Sequence, residues 1–435
     1  SPSRDFHGER YRNRNRKMTT AELTDQYVLG NYGRFPVAMS RGEGGYIFDE
    51  DGKRYLDFAT GIAVCSLGHC PEVVSKALRE QGDELIHCSN LYLIREQAEL
   101  ARFVVEKMME RAGKVFFCNS GAEANDGLIK LARKRAFDKY GKEAGKNVII
   151  TCKQSFHGRT LGGIAATAQE KVKIGFDPLL PGFLHVPFND VETLRDAVSD
   201  TTAGILFEPL QGEGGINPAT PEFIAAAAEL RDQHDLLLMF DEVQVGSGRS
   251  GDWCGWRTIL KGSGVVAEPD AVSWAKGFGG GFPIGAIWAD DVCAPALGPG
   301  THGSTFGGTP LASAVALAVL EEIENSGALE NVKRQEKVIR DKVEAWNNPL
   351  VDSLRGVGLM LGFVICEDAM TGVPGFSESG NAPALFLVNK LMDAGMLTAP
   401  AGDNVVRWLP RLNVTDEEIS EAFDIFTETL DGLSG

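Results

Sequence analysis

Paired metal ligands are missing from this chain. Its 8 cysteines stand singly, at Cys65, Cys70, Cys88, Cys118, Cys152, Cys254, Cys293 and Cys366, with no C-x-x-C spacing. No metal site is expected from that pattern. Single cysteines read as buried free thiols in a reducing compartment. Positive charge is the second deficit: 43 Lys and Arg face 60 Asp and Glu, a net charge of -17. That balance argues against a nucleic-acid partner, which favours a basic face. It leaves small substrates open, because one local arginine outweighs a distant field. Long apolar runs are lacking too, so no membrane span is expected. The opening SPSRDFHGERYRNRNRK is basic and polar without an apolar core segment, so it is not expected to be a secretory signal. Residues 1–27 are read as a disordered tail or a start placed too early, and the location as cytoplasmic. A cloning remnant and an organellar transit segment are the alternatives.

What is present suits a large enzyme. A chain of 435 residues, 43% hydrophobic, can bury a sizeable core and form two domains. Glycine is abundant, with 51 residues, as expected where loops turn tightly or approach a ligand. GGYIFDEDGKRYLDFAT reads as two strands about an Asp51-Gly52 turn. GHCPEVVSKALREQGDEL starts a helix, with Pro71 in its first turn. Then short apolar runs alternate with helical patterns: KVFFCNS, NVIITCKQ, GILFEPL, LLLMFDEV and AVSWAKG are strands, and GAEANDGLIKLARKRAFDKYG is a helix opening at its glycine. This predicts an α/β fold with a mostly parallel sheet covered on both faces. LASAVALAVLEEIEN, the strand pair VDSLRGVGLMLGFVI and the amphipathic ISEAFDIFTETLDGL predict a smaller α+β domain. The expected division is 28–75 and 316–435 for the small domain and 76–315 for the large one.

The chemistry concentrates in AVSWAKGFGGGFPIGAI. Lys276 follows an apolar strand and precedes a glycine run, so its amine is expected to be enclosed. Enclosure lowers an amine's pKa and makes it a nucleophile able to hold an aldehyde cofactor as a Schiff base. Asp241 ends LLLMFD, on the ligand-binding edge of a parallel sheet, where a carboxylate can pair with a pyridine nitrogen. The combination points to pyridoxal phosphate. Val243 can press on the ring, Gln244 can reach its hydroxyl, and Glu208 can orient Gln244 or hold the ring region. Ser120, Gly121 and Ala122 open a helix whose N–H groups can cradle a phosphate, and Thr305 in HGSTFGG is a second donor. Phe156 can stack on the ring; His157 is read as a packed polar residue without acid–base work. Arg159 and Arg407 can each grip a carboxylate, and Glu213 can mask Arg407 until a dicarboxylate arrives.

Together these stretches resemble the class III (subgroup II) aminotransferases of fold type I, and within them the acetylornithine branch. The resemblance runs from about residue 28 to 432 and rests on the order and spacing of NYGRFPVAMSRGEG, YLDFATGIAVCSLGHC, SNLYLIREQAELA, VFFCNSGAEAN, SFHGRT, FEPLQGEGG, FDEVQVGSGRSG, AKGFGGGFPIGA and HGSTFGGTPLA. It implies a large domain with a seven-stranded, mostly parallel sheet and a homodimer in which Thr305 crosses to the other subunit's cofactor. It further implies Lys276 as Schiff-base lysine and proton shuttle, Asp241 as pyridinium partner, Arg159 and Arg407 as carboxylate clamps with Glu213 as gate, and Tyr32 near the substrate carboxylate. Ile62 stands where ornithine-specific relatives carry a tyrosine, which favours a donor with an uncharged α-nitrogen. The implied reaction passes the δ-amino group of acetylornithine to 2-oxoglutarate, giving acetylglutamate semialdehyde and glutamate, in arginine biosynthesis. Ornithine, succinylornithine and 4-aminobutyrate are the alternative donors. GTP after HGSTFG and the arginine in LPRLNV depart from the family's common GNP and proline.

Overall fold

The computed structural model describes residues 18–434. Its centre is a seven-stranded sheet in the order Gly113–Cys118, Gly285–Asp290, Ala271–Trp274, Leu237–Asp241, Thr202–Phe207, Val148–Cys152, Phe183–Val186. The last five strands of that order run parallel, and Gly285–Asp290 lies antiparallel to both of its neighbours. Thr202–Phe207, Leu237–Asp241 and Ala271–Trp274 are buried along their whole length, as continuous apolar runs in a doubly covered sheet must be. Helix Gly121–Tyr140 packs along one face, and its buried Ala124, Leu128, Leu131 and Ala132 are helically spaced. Gly285–Asp290 and Phe183–Val186 escaped the sequence reading. GAIWAD follows the glycine run directly and reads as its continuation, although all six of its residues are buried.

Two four-stranded sheets and a two-stranded pair, Leu210–Gln211 with Asn217–Pro218, complete the strands. One is ordered Val351–Val357, Met360–Ile365, Val405–Trp408, Ala399–Ala401. The other joins Met39–Glu43, Tyr46–Asp49 and Arg54–Asp57 to the distant Met396–Leu397, so the chain's beginning and last third share one sheet. Helices Ala328–Ala345, Pro383–Asp393 and Asp416–Ser434 pack about these strands, whereas Pro310–Asn325 packs on Glu72–Glu84 and Arg95–Phe103. Two local expectations are corrected. Helix Thr20–Tyr27 occupies part of the expected tail: Thr19 and Glu22 form a capping box, which satisfies two backbone N–H groups at its start. Residues 1–17 lie outside the described residues. Pro71 is the cap before Glu72–Glu84 rather than a residue within it. The helix from Arg95 widens to π-helical winding over Val104–Met109 and stops at Glu110, whose φ is 52°. Among the described residues, no helix is long and apolar enough to cross a membrane.

Candidate active site

A cavity of about 450 Å³ opens at the carboxyl edge of the large sheet, lined among others by Ser120, Gly121, Phe156, Asp241, Val243 and Lys276. Lys276 follows the buried strand Ala271–Trp274 and begins one turn of 3-10 helix. Its φ of 49° is left-handed, a conformation costing about 1 kcal/mol for a residue with a Cβ. The turn is held from outside, because Ser66 Oγ donates to the Gly277 carbonyl at 2.9 Å. Burial pushes the Lys276 amine down to about 8; Arg407 adds to this, while Glu213, Glu208 and Asp241 oppose it.

Asp241 ends its strand with both carboxylate oxygens engaged. Oδ2 accepts from Asn125 Nδ2 at 2.7 Å and pairs with His157 Nδ1 at 2.8 Å; Oδ1 accepts from Val243 N–H at 3.0 Å. Asn125 also donates to the His157 carbonyl and accepts from Ser273 Oγ. His157 is fully buried. Burial works against its charge, but the hydrogen bond and charge of Asp241 outweigh burial and raise its pKa. The sequence reading missed Asn125, and it gave His157 only a packing role. The signal lay in SGAEAN, where an asparagine on the buried face of a helix needs polar partners.

Glu208 differs from expectation. It accepts from Phe156 N–H at 2.9 Å and Gly212 N–H at 3.1 Å, fixing the loop that presents Phe156 rather than orienting Gln244. Burial and the charge of Asp241 push its pKa up to about 7. Gln244 belongs instead to a second cluster. Arg407 forks onto Glu213, with N–O distances of 2.8 and 3.1 Å, and donates to Gln244 Oε1 at 3.0 Å and the Pro400 carbonyl at 2.8 Å. The strand Val405–Trp408 holds this guanidinium firmly, because Trp408 packs among Phe58, Phe363, Phe423 and Phe426 with ring centroids 4.8–5.2 Å away. Burial raises the Glu213 pKa, but Arg407 outweighs it, and the carboxyl is held below its ordinary value.

Helix Gly121–Tyr140 points its start at the cavity. Ser120 caps it by accepting from Glu123 N–H, which leaves the Gly121 and Ala122 N–H groups without intrahelical acceptors. A Cβ on Gly121 would lie 2.8 Å from Val243 Cγ1, so only glycine fits there. Gly158, at φ 117°, lies equally close to this helix start: its Cβ would meet that of Ala122 at 2.6 Å. Gly158→Ala is therefore expected to lower stability by about 2–3 kcal/mol, read as a shift in the urea midpoint at unchanged slope. Arg159 is exposed at the cavity rim, its guanidinium carbon 5.6 Å from the Phe156 ring centroid.

Five expected site residues are absent from the lining of this cavity in the single chain: Arg407 and Glu213 meet it through Gln244, which does line it, and Thr305, Tyr32 and Ile62 stand off it. Thr305 is exposed on its loop beside Phe306. Tyr32 is 69% exposed in the irregular segment before the first strand, with Arg34 over its ring. Ile62 is 37% exposed, carried on a left-handed turn that turns Val64 rather than Ile62 toward the cavity.

Comparison with known proteins agrees with this architecture. The family described as "Aminotransferase class-III" matches residues 27–430. An acetylornithine aminotransferase of Caldanaerobacter subterraneus subsp. tengcongensis is 47% identical over 93% of this chain and 97% of its own length. The solved ornithine aminotransferase of Toxoplasma gondii superposes with a TM-score of 0.86 at 30% identity, covering 95% of each chain. The N-acetylornithine aminotransferase of Stenotrophomonas maltophilia K279a gives 0.77 at 36% identity, over 94% of this chain and 98% of that one. The chain belongs to the class-III aminotransferases, a pyridoxal-phosphate-dependent family of fold type I.

Proposed function

We propose that the chain transfers the δ-amino group of acetylornithine to 2-oxoglutarate, as a homodimer with pyridoxal phosphate at Lys276. The observation that carries this reading is the Arg407–Glu213 fork, which meets the cavity through Gln244 and whose charges act on the Lys276 amine: a dicarboxylate grip with its own internal occupant. The cavity fits the cofactor in size and donors. It offers an enclosed amine, a carboxylate fixed by three hydrogen bonds, and a helix start with free N–H groups. Ser120, Gly121 and Ala122 would hold the phosphate, Phe156 and Val243 the two ring faces, and Asp241 the ring nitrogen. Gln244 and Glu208 would border the ring. Pyridoxal phosphate supplies an aldehyde to take up the amino group and a ring that withdraws electrons.

The protein's own work is positioning and proton transfer. With a pKa near 8, Lys276 Nζ holds a useful share of free base at neutral pH, so it can take a proton from the carbon bearing the departing amino group and return it. Buried Asp241, held by Asn125 and His157, favours positive charge at its end of the cavity. Arg159 grips the α-carboxylate common to donor and acceptor. Glu213 occupies Arg407 while the donor is bound and yields it to the second carboxylate of 2-oxoglutarate or glutamate. Thr305 would come from a second copy of the chain. The exposed apolar residues Leu91, Tyr92, Leu93 and Phe306 give such a copy a surface to cover.

The curated relatives matched here at 39–47% identity carry the acetylornithine name, which supports that donor. Ornithine is the second reading, favoured by the superposition on the Toxoplasma gondii enzyme. A half-reaction panel separates them. The cofactor's absorption is followed with acetylornithine, succinylornithine, ornithine, 4-aminobutyrate and lysine. Acetylornithine is expected to react at least about tenfold faster than ornithine, a difference of about 1.4 kcal/mol. The reverse order overturns the assignment.

A further inference from the structure

The exposed loop that carries Thr305 is pinned on both sides of that residue by a single amide. Asn90 Nδ2 donates to the Ser304 carbonyl at 3.0 Å and to the Gly307 carbonyl at 2.9 Å. These two carbonyls flank Thr305 and Phe306, so one side chain closes the loop at its neck. Gln97, in helix Arg95–Phe103, fixes which end of Asn90 faces the loop. Its Nε2 donates to Asn90 Oδ1 at 2.8 Å and to the Gly308 carbonyl at 2.9 Å. With its oxygen engaged by Gln97, the Asn90 amide turns its N–H groups to the carbonyls. Ser304 is held a second time, because its Oγ accepts from Gly307 N–H at 2.9 Å and from Asn119 Nδ2 at 3.1 Å.

Glycine lets the loop lie this close to its supports. A Cβ on Gly307 would run into the Phe117 carbonyl oxygen, and one on Gly308, at φ 68°, into Gln97 Nε2. Thr305 itself takes no part in the clamp. Its side chain is exposed, and its hydroxyl has no partner among the described residues. The clamp also joins this hydroxyl to the exposed apolar surface. Leu91, Tyr92 and Leu93 follow Asn90 directly, and the Phe306 ring lies 5.4 Å from that of His87. Neither Asn90 nor Gln97 lines the candidate active-site cavity of its own chain.

We propose that Asn90, oriented by Gln97, is a positioning residue for the cofactor's phosphate: it holds the Thr305 hydroxyl ready to donate to that group in a second copy of the chain. The inference rests on the assignment of Thr305 as a phosphate donor and adds what makes a loop residue competent for it. A hydroxyl on an unpinned loop has to be ordered when the phosphate arrives, and that entropy is subtracted from affinity. A loop clamped by Asn90 is ordered on folding instead.

The probes are pyridoxal phosphate and pyridoxal, which differ by the phosphate alone, titrated into the cofactor-free full chain. Thr305→Val is expected to weaken pyridoxal phosphate about 10- to 100-fold and leave pyridoxal within about threefold, as for one hydrogen bond to a charged group. Asn90→Ala is expected to show the same selectivity, with a loss of at least about fivefold for the phosphorylated probe. Gln97→Met should act in the same direction with a smaller loss. Added to Thr305→Val, Asn90→Ala is expected to bring less than about twofold more, since both act on one hydroxyl. A loss in Asn90→Ala that falls equally on both probes overturns the proposal, because it marks a purely structural role. So does a phosphate-selective loss that disappears at concentrations where sedimentation shows a full dimer, because Asn90 then holds the interface and not the hydroxyl. Thr305→Val without a phosphate-selective loss overturns the assignment of Thr305 and this proposal together, whereas a loss in Thr305→Val with none in Asn90→Ala overturns the proposal alone. Asn90 is exposed, and each variant is read as a ratio of two affinities, so modest destabilisation cancels.

Discussion

Lys276→Met is expected to abolish turnover while stabilising the cofactor-free protein near neutral pH. The loss of turnover follows from one side chain serving as both the cofactor's anchor and the proton carrier. Removing both roles costs on the order of 10⁴-fold in kcat or more. The gain in stability follows from burial. The amine's ordinary value is 10.5, and the folded chain holds it at about 8. Below pH 8 the amine is charged in both states, and the folded state bears the cost of enclosing that charge. Between pH 8 and 10.5 the unfolded state binds more protons, so stability rises with pH. The cost is thus fully present at pH 7 and relieved as pH climbs through the folded pKa. Because the amine faces an open cavity, the cost is discounted to about 2 kcal/mol. Urea midpoints of the cofactor-free chain should therefore favour Lys276→Met at pH 7, with the gap narrowing by pH 9.5. A gap that stays constant with pH would falsify the account of the lysine as a buried, depressed base.

Much of this scaffold is legible in the sequence, for a local reason. Several strands of the large sheet are short apolar runs that meet a polar or charged residue at the carboxyl end, where the cavity lies: Asn119, Glu208, Asp241 and, after Ala275, Lys276. Asp241 and Lys276 are found from those run ends alone. Ser120 is found because a capping serine before a glycine marks a helix start. What could not be read is pairing across long separations. Asn125 reaches Asp241 from 116 residues away, and nothing near either residue announces the contact. Glu208 and Gln244 stand in the expected neighbourhood, but their hydrogen bonds go to Phe156 and Arg407, a choice set by tertiary distances. The antiparallel strand Gly285–Asp290 was hidden because glycine and proline precede it directly. Thr305, Tyr32 and Ile62 lie off the cavity of the single chain, and a sequence motif does not say whether its residue reaches the cavity. Arg407 and Glu213 are 194 residues apart, yet the structure joins them as read, because two opposite charges on ligand-facing segments have few other partners in an apolar interior.

That pair carries the second large effect. Arg407→Met leaves the Glu213 carboxylate, 73% removed from solvent, without its cation. The variant is expected to lose about 2–3 kcal/mol, less than for a fully buried pair because Glu213 keeps some solvent. Glu213 contributes stability above its ordinary pKa of 4.5, and that contribution is lost as pH falls through its depressed folded value. In Arg407→Met the dominant remaining influence is burial, which raises the carboxyl, so the variant should be relatively worst above pH 5 and closest to the parent in acid. Adding Glu213→Gln should restore part of the loss, with a coupling of about 1–3 kcal/mol in the double-mutant cycle. Activity should split by half-reaction. Without the guanidinium fork, kcat/KM for 2-oxoglutarate is expected to fall roughly 10²- to 10³-fold, while the acetylornithine half-reaction changes less than about tenfold. Glu213→Gln alone should act in the opposite sense: it leaves Arg407 bare for any carboxylate, so the preference shifts toward glutamate while cofactor affinity is little altered. Equal losses in both half-reactions of Arg407→Met would mean that this arginine supports the fold and does not read the second carboxylate. Unequal losses, reversed in Glu213→Gln, are what a gate requires, because only a residue that competes with one substrate and not the other can move the two rates in opposite directions.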